Sequence, residues 1–223
     1  MLKVQNVGIT YPNHDVLQGL SFQGKSGDIL GILGKNGVGK TTLLNAIVGL
    51  KKIETGSIIM GSEKIGYIPE EQGIYDYLKG RELIEVVADL KNVAKQDVHE
   101  LLQELSAYII LPDLDMLVSN YSKGNKEKII FILALLGWPD ILIMDEPFTG
   151  FDPESILGAK KYLQQYSQPG KLLVFSTHIL ELAAQLCHRV LIILSRDKSI
   201  IIELNKDDTL EQRIKILEQY FIE

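Results

Sequence analysis

Gly34-Lys35-Asn36-Gly37-Val38-Gly39-Lys40-Thr41 follows a short apolar run, Asp28–Leu33, and precedes a stretch in which Leu43, Leu44, Ile47 and Val48 share one helical face. The run reads as a strand and the stretch as a helix starting near Lys40, so the octapeptide links strand to helix. It is a full match to the phosphate-binding loop pattern. Its glycines let the backbone curl so that successive N–H groups point at phosphate oxygens, and the positive end of the following helix adds to the attraction. In such a loop Lys40 reaches the β- and γ-phosphates of a nucleotide and the Thr41 hydroxyl ligates Mg²⁺. An ordinary glycine-rich turn is the competing reading, and the flanking strand and helix weigh against it.

A second carboxylate must hold the metal, and it belongs at the end of a neighbouring buried strand. Ile141-Leu142-Ile143-Met144-Asp145-Glu146 supplies it. Four consecutive apolar residues suit a parallel strand covered on both faces. Asp145 is then placed for the metal, directly or through water, and Glu146 to polarise an attacking water as general base. A strand simply ending in the turn Asp145-Glu146-Pro147 would explain the same residues, but not their pairing with the loop upstream.

Working outward, further strands are expected at Gly56–Met60, Ile65–Ile68, Lys171–Phe175 and Arg189–Leu194, and further helices near 81–92, 97–108, 153–166 and 178–188. Short apolar runs alternating with helical periods define an α/β chain. From about 75 to 136 the pattern is almost wholly helical, which predicts a helical subdomain inserted into a core of about 1–74 and 137–205. Leu210, Ile214, Leu217 and Phe221 in register predict a C-terminal helix over about 207–222. No repeat or linker divides the 223 residues.

Composition narrows the partners. Twenty-three basic against 29 acidic residues give −6, where a nucleic-acid surface would need a basic face. The one cysteine, Cys187, excludes an intrachain disulfide and fits a reducing compartment. The N-terminus lacks the apolar run of a signal peptide. The longest apolar stretch, Ile129 to Met144, is broken by Pro139 and Asp140 and falls short of the ~18–20 residues of a membrane span. The expectation is a cytosolic chain that reaches a membrane only through a partner.

With these motifs in order, the sequence resembles the ATP-binding-cassette ATPases over nearly its whole length. Gly34–Thr42 looks like their phosphate loop, so that Thr42 joins the nucleotide contacts, and Ile141–Glu146 like their metal-carboxylate strand with its catalytic glutamate. Gly150-Phe151-Asp152-Pro153 is similar to the loop that follows. Ser176-Thr177-His178 stands where the family keeps its switch histidine. Tyr11, 23 residues before Gly34, matches the aromatic residue that stacks on adenine. The signature stretch appears as Tyr121-Ser122-Lys123-Gly124-Asn125. The resemblance implies that Ser122 and Gly124 contact the γ-phosphate of ATP held by an opposite subunit. Lys123 and Asn125 replace the usual glycine and glutamine. In the loop Tyr67-Ile68-Pro69-Glu70-Glu71-Gln72, Glu70 takes the place of a glutamine near Mg²⁺. Both departures look similar to cassettes serving bacterial exporters.

The resemblance thus implies a P-loop NTPase core with a mostly parallel sheet, an N-terminal antiparallel β portion and an inserted helical subdomain. It implies ATP and Mg²⁺ as ligands, Lys40, Glu146 and His178 as catalytic residues, and Thr41, Asp145 and Glu70 at the metal. The partners it implies are a second ATPase subunit, identical or not, and a separate transmembrane permease, with the chain peripheral on the inner face of the cell membrane and no nucleic acid.

Several residues have plainer readings. Taken alone, His178 is an exposed helix-start residue and Tyr11 a half-buried strand residue. His14, His99 and His188 show no metal-ligand spacing. Ile74, Tyr75, Tyr77 and Leu78 read first as core packing, and alternatively as a docking surface for a membrane subunit. Asn205-Lys206-Asp207-Asp208 matches a guanine-reading pattern, but the Asp-x-x-Gly that a GTPase needs occurs only before the phosphate loop. A cassette acting on ribosomes or DNA without a permease is the nearer alternative. Ribosomal types resemble paired cassettes, and DNA-repair types carry a long coiled coil where only 88 positions separate Gly34 from Ser122 here.

Overall fold

A computed structural model describes residues 1–12, 14–70 and 73–221. Strands β1 (Leu2–Tyr11), β2 (His14–Gly24) and β4 (Thr55–Met60) form a three-stranded antiparallel sheet in the order β2-β1-β4. The larger sheet has the order β5-β6-β7-β3-β8-β9, built from β3 (Ile29–Gly34), β5 (Ile65–Ile68), β6 (Ile141–Asp145), β7 (Leu172–Thr177), β8 (Arg189–Ile193) and β9 (Ser199–Glu203). All its pairings are parallel except β8 with β9.

The four central strands are buried on both faces, and their side chains divide between two cores. Leu30 and Ile32 of β3, Ile141 and Ile143 of β6, and Leu172 and Val174 of β7 join β1, β2 and helix α1 (Lys40–Ile47) in one. Ile29 and Leu33, Leu142 and Met144, and Leu173 and Phe175 face the other. This period-2 division is why these strands read as continuous apolar runs.

The second core continues without a break into the helical segment. Leu83 of α2 (Gly80–Leu90), Leu101 and Leu105 of α3 (Lys95–Ser106) and Ile129 of α4 (Lys123–Leu135) belong to the same cluster as the sheet. The helices between 80 and 135 therefore draw their stability from the sheet they cover. Helices α5 (Pro153–Tyr166), α6 (Leu180–Leu186) and α7 (Leu210–Phe221) complete that layer, with α7 packed on α6 through its buried Leu217. No helix among the described residues is long and apolar enough to cross a membrane.

Several expected boundaries shift, among them that of α7, which begins at Leu210 and not near 207. Strand β7 runs on to Thr177 and α6 begins at Leu180, so His178 lies in the link between them and does not start the helix. Helix α3 begins at Lys95, two residues before the expected start. Ile222, the last residue of the expected C-terminal helix, and Glu71 and Gln72 of the Glu70 loop lie outside the described residues.

Register brings the motifs together. Leu33 pairs with Thr177 across β3 and β7, and Asp145 with Ser176 across β6 and β7. The phosphate loop, the Asp145–Glu146 pair and His178 thus emerge at adjacent carboxyl ends of parallel strands, the edge at which open α/β sheets bind ligands.

Candidate functional site

The loop leaving β3 needs conformations that only glycine takes easily. Gly37 has φ of 78° and Gly39 of 110°, and a Cβ at Gly39 would stand 2.8 Å from Val16. Lys40, at the first turn of α1, is almost wholly buried. Its ammonium donates to the carbonyls of Gly34 (3.0 Å) and Lys35 (3.4 Å) and lies 3.7 Å from Glu146 Oε1. The loop backbone and one carboxylate therefore hold the cation in place at the cleft wall.

That cleft, of about 610 Å³, is lined on one side by Asn36, Gly37, Gly39, Lys40, Thr41 and Thr42. Asp145, Glu146, Glu70 and His178 close the other side, and Tyr11 and His14 stand at its outer end. Gly34, Lys35 and Val38 belong to the loop but do not line the cleft.

Asp145 is buried at the end of β6, and burial raises its carboxyl above the ordinary range, opposed by the Ser176 hydroxyl. That hydroxyl donates to Asp145 Oδ1, whereas Oδ2 is buried without a hydrogen-bond partner among the described residues. The Thr41 hydroxyl donates to Glu70 Oε2 at 3.0 Å. An orphaned carboxylate oxygen near a hydroxyl and a second carboxylate is an all-oxygen donor set of the kind that suits a hard divalent cation. No group of three or more His, Cys, Asp or Glu side chains suited to a metal occurs among the described residues. The orphaned Asp145 oxygen beside Thr41 and Glu70 suits Mg²⁺, which usually takes one or two carboxylates and completes its shell with phosphate and water.

Glu146 has φ of +48°, a left-handed conformation that strains a non-glycine residue by about 1–3 kcal/mol. It persists because three contacts specify it. Its N–H donates to Ser176 Oγ at 3.0 Å, and its Oε1 lies 3.0 Å from His178 Nδ1 and 3.7 Å from Lys40 Nζ. Ser176 therefore serves both carboxylate residues, a role that the sequence reading missed. The available signal was a serine at the end of the apolar run Leu172–Phe175.

Tyr11 is 43% exposed, with the Lys51 ammonium 3.8 Å above its ring and the His14 ring stacked at 6.0 Å. Tyr11 and His14 line the cleft, whereas Lys51 does not.

Ser122 caps α4, accepting from the Asn125 N–H at 3.2 Å. Gly124 sits where a Cβ would come within 2.7 Å of the Gly150 carbonyl oxygen. Neither residue lines the cleft of its own chain. Lys123 does, and its stem lies over Gly150. One turn along, the buried Lys128 pairs at 3.0 Å with Asp152. Asp152 caps α5 through Ser155, and Ser155 with Lys128 holds its carboxyl well below the usual range. This pair, also unforeseen, ties the signature helix to the loop after β6.

Tyr75 and Tyr77, read first as core, are 74% and 93% exposed, whereas Ile74 and Leu78 are half-buried. Lys206 of the guanine-like motif lines a different cavity, beside Ile29 at the amino end of β3. The motif is therefore at the opposite end of the sheet from the phosphate loop.

A three-layer α/β sheet with this loop and strand-end carboxylates defines a phosphate-loop nucleotide-binding domain. Residues 17–149 match the family model for ABC transporter. The chain is 36% identical over 210 residues to the uncharacterized ABC transporter ATP-binding protein YhaQ of Bacillus subtilis, covering 90% of this chain and 70% of that protein. It is 34% identical to the uncharacterized ABC transporter ATP-binding protein MJ1023 of Methanocaldococcus jannaschii, covering 86% and 73% of the two chains. A solved structure described as an ATP binding subunit of an ABC transporter superposes with a TM-score of 0.87 at 25% identity, over 98% of this chain and 99% of that one. The chain belongs to the ABC transporter family, as an ATP-binding subunit. The fold is shared too by the dimeric cassette MJ0796, with a TM-score of 0.78 at 21% identity over 92% and 99% of the chains.

Proposed function

We propose that this subunit hydrolyses ATP with Mg²⁺ in a dimer of cassettes and thereby drives transport, in the export direction, through a separate membrane permease. The observation that carries the reading is the convergence of Lys40, Asp145, Glu146 and His178 on one cleft at three adjacent strand ends.

The phosphate loop from Gly34 to Thr42 wraps the phosphates, with Lys40 turning from its carbonyl partners to the β- and γ-phosphate oxygens. Tyr11 stacks on adenine. Thr41, Asp145 and Glu70 hold Mg²⁺, which neutralises phosphate charge when bound. Glu146 takes a proton from the attacking water. His178, 3.0 Å from Glu146 in the nucleotide-free site, orients that carboxylate there and donates its ring N–H to the γ-phosphate when ATP is bound. Ser122 and Gly124 close the site from the second subunit, where the amino end of α4 offers free N–H groups to the same phosphate.

The core comprises about 1–74 and 137–205, with an inserted helical subdomain over about 75–136 and the C-terminal helix α7 over Leu210–Phe221. The exposed Tyr75 and Tyr77 beside the Glu70 loop are the docking surface for the permease, which holds the chain at the inner membrane face. The export direction is supported by Lys123 and Glu70, the two departures that look similar to cassettes serving bacterial exporters.

The test is purification of the tagged chain from detergent-solubilised membranes. A stoichiometric integral membrane protein should accompany it, and the Tyr75→Ala/Tyr77→Ala variant should lose that protein while still binding ATP. Recovery with ribosomes or DNA and no membrane protein would contradict the reading.

A further inference from the structure

A second polar cavity, of about 220 Å³, lies at the amino end of the large sheet, between the start of β3, the end of α6 and the start of α7. With about 3.3 Å per residue along β3, it is roughly 17 Å from the phosphate loop.

His188 Nδ1 accepts from the Ile29 N–H at 3.1 Å, and the ring N–H is engaged by the Gly27 backbone, so His188 borders the cavity without a donor to spare. Arg213 spends Nε on the Asn205 carbonyl (3.1 Å) and one terminal nitrogen on the Ala184 carbonyl (2.7 Å). Its second terminal nitrogen remains. Gln185 gives its oxygen to the Lys160 ammonium at 2.8 Å, leaving the amide N–H₂. Lys206 is exposed and makes no ion pair or hydrogen bond among the described residues.

The leftover groups of Arg213, Gln185 and Lys206 are donors and two of these side chains are cations, while the Gln164 amide, which also lines the cavity, offers both donors and an acceptor. No carboxylate among the described residues lines the cavity. The nearest acid acting on His188, Asp28, is engaged by Arg189 at 3.4 Å. Burial together with Lys206 and Arg213 disfavours protonation of the His188 ring, so the positive potential of both cations is felt at one point. In a chain of net charge −6 this is a local reversal of sign.

We propose that this cavity is an anion site for a phosphate group, held by Lys206, Arg213 and Gln185, with the His188 ring beside it. A tetrahedral phosphate offers several acceptor oxygens to donors arriving from three elements, and charge-assisted bonds from an arginine and a lysine favour a dianion. The volume accommodates the group and a few attached atoms. A ligand there cannot touch ATP. Its influence on the cleft runs through α6, whose far end begins two residues after His178. The guanine-like motif is thereby given a different role, with Lys206 as an anion ligand.

The experiment uses the full chain saturated with Mg²⁺ and ADP, so that the phosphate loop is occupied. Imidazole nitrogen–proton correlations of the four histidines are followed while inorganic phosphate, glycerol phosphate, succinate or chloride is added at matched ionic strength. The His188 signal should move saturably with inorganic phosphate or with the monoester, while His14 and His99 stay still. Tighter binding of the monoester would identify a phosphorylated metabolite as the source, and equal or tighter binding of inorganic phosphate would identify the free ion. Lys206→Glu, an exposed change, should weaken binding about 10-fold or more, because a repulsive charge replaces an attractive one at a partly buried anion. An unmoved His188 signal, an equal response to succinate or chloride, or unchanged affinity in Lys206→Glu would overturn the proposal.

Discussion

Ser176→Ala removes one hydroxyl that serves two carboxylate residues at once. Its bond to Asp145 is charge-assisted, worth about 1.5–3 kcal/mol, and the Glu146 N–H left behind costs about 1–3 kcal/mol if water does not replace the partner. Because Glu146 borders the cleft and water can reach it, a net loss of about 3 kcal/mol is expected. The loss should depend on pH. Burial already raises the Asp145 carboxyl, and Ser176 is the largest influence opposing that rise, so the variant raises it further. A carboxyl whose folded pKa lies above its unfolded value supports the fold fully below the unfolded pKa and loses that support as pH rises through the folded one. The deficit of Ser176→Ala is therefore largest near neutrality and shrinks as acid protonates Asp145. Urea unfolding of the nucleotide-free protein, at neutral pH and on the acid side, measures this directly. Turnover should fall too, since the +48° conformation of Glu146 loses one of its three contacts. A variant within about 0.5 kcal/mol of the parent at both pH values, the range of an ordinary surface change, would refute the reasoning.

Glu146→Gln should keep ATP binding while slowing hydrolysis about 10²–10⁴-fold, as measured by phosphate release, and should accumulate an ATP-bound dimer on gel filtration. Native turnover would remove Glu146 from the chemistry. Tyr11→Ala should weaken ATP by about 1–3 kcal/mol in equilibrium binding, the range for a base stacked on an aromatic ring. An unchanged affinity would place the adenine elsewhere.

The parts of the site that lie in unbroken local patterns were legible in the sequence. The β3–loop–α1 segment and the all-apolar β6 announce themselves, because parallel strands covered on both faces leave no polar interruption. Apart from a strand reading at Tyr11, strands β1 and β2 were foreseen through the resemblance. Register shifts at Val4/Val7 and Val7/Ile9, with Asn6 at φ 48° and Gly19 at φ 68°, break the alternation by which a strand is read. Contacts between distant elements were not legible at all. Ser176 bridging Asp145 to Glu146, and Lys128 meeting Asp152, depend on which strand ends and helix turns become neighbours, and nothing in the local pattern states that. His178 was placed at the right sheet edge, but the two-residue link before α6 was not visible.

The central claim is that the cleft is completed by the signature of a second chain, and a mixed-dimer assay tests it most directly. Lys40→Ala and Ser122→Arg chains, each inactive alone, are combined under conditions where subunit exchange is shown by a size-distinguishing tag. A heterodimer then pairs the intact phosphate loop of one chain with the intact signature of the other, and ATPase activity should reappear on mixing. The Lys40→Ala/Ser122→Arg double variant mixed with the parent chain should show no such heterodimer activity, since neither site is whole. Cysteines placed at Ser122 and in the phosphate loop should cross-link between chains. Heterodimers that form and stay inactive, together with a cross-link confined to one chain, would contradict the shared site.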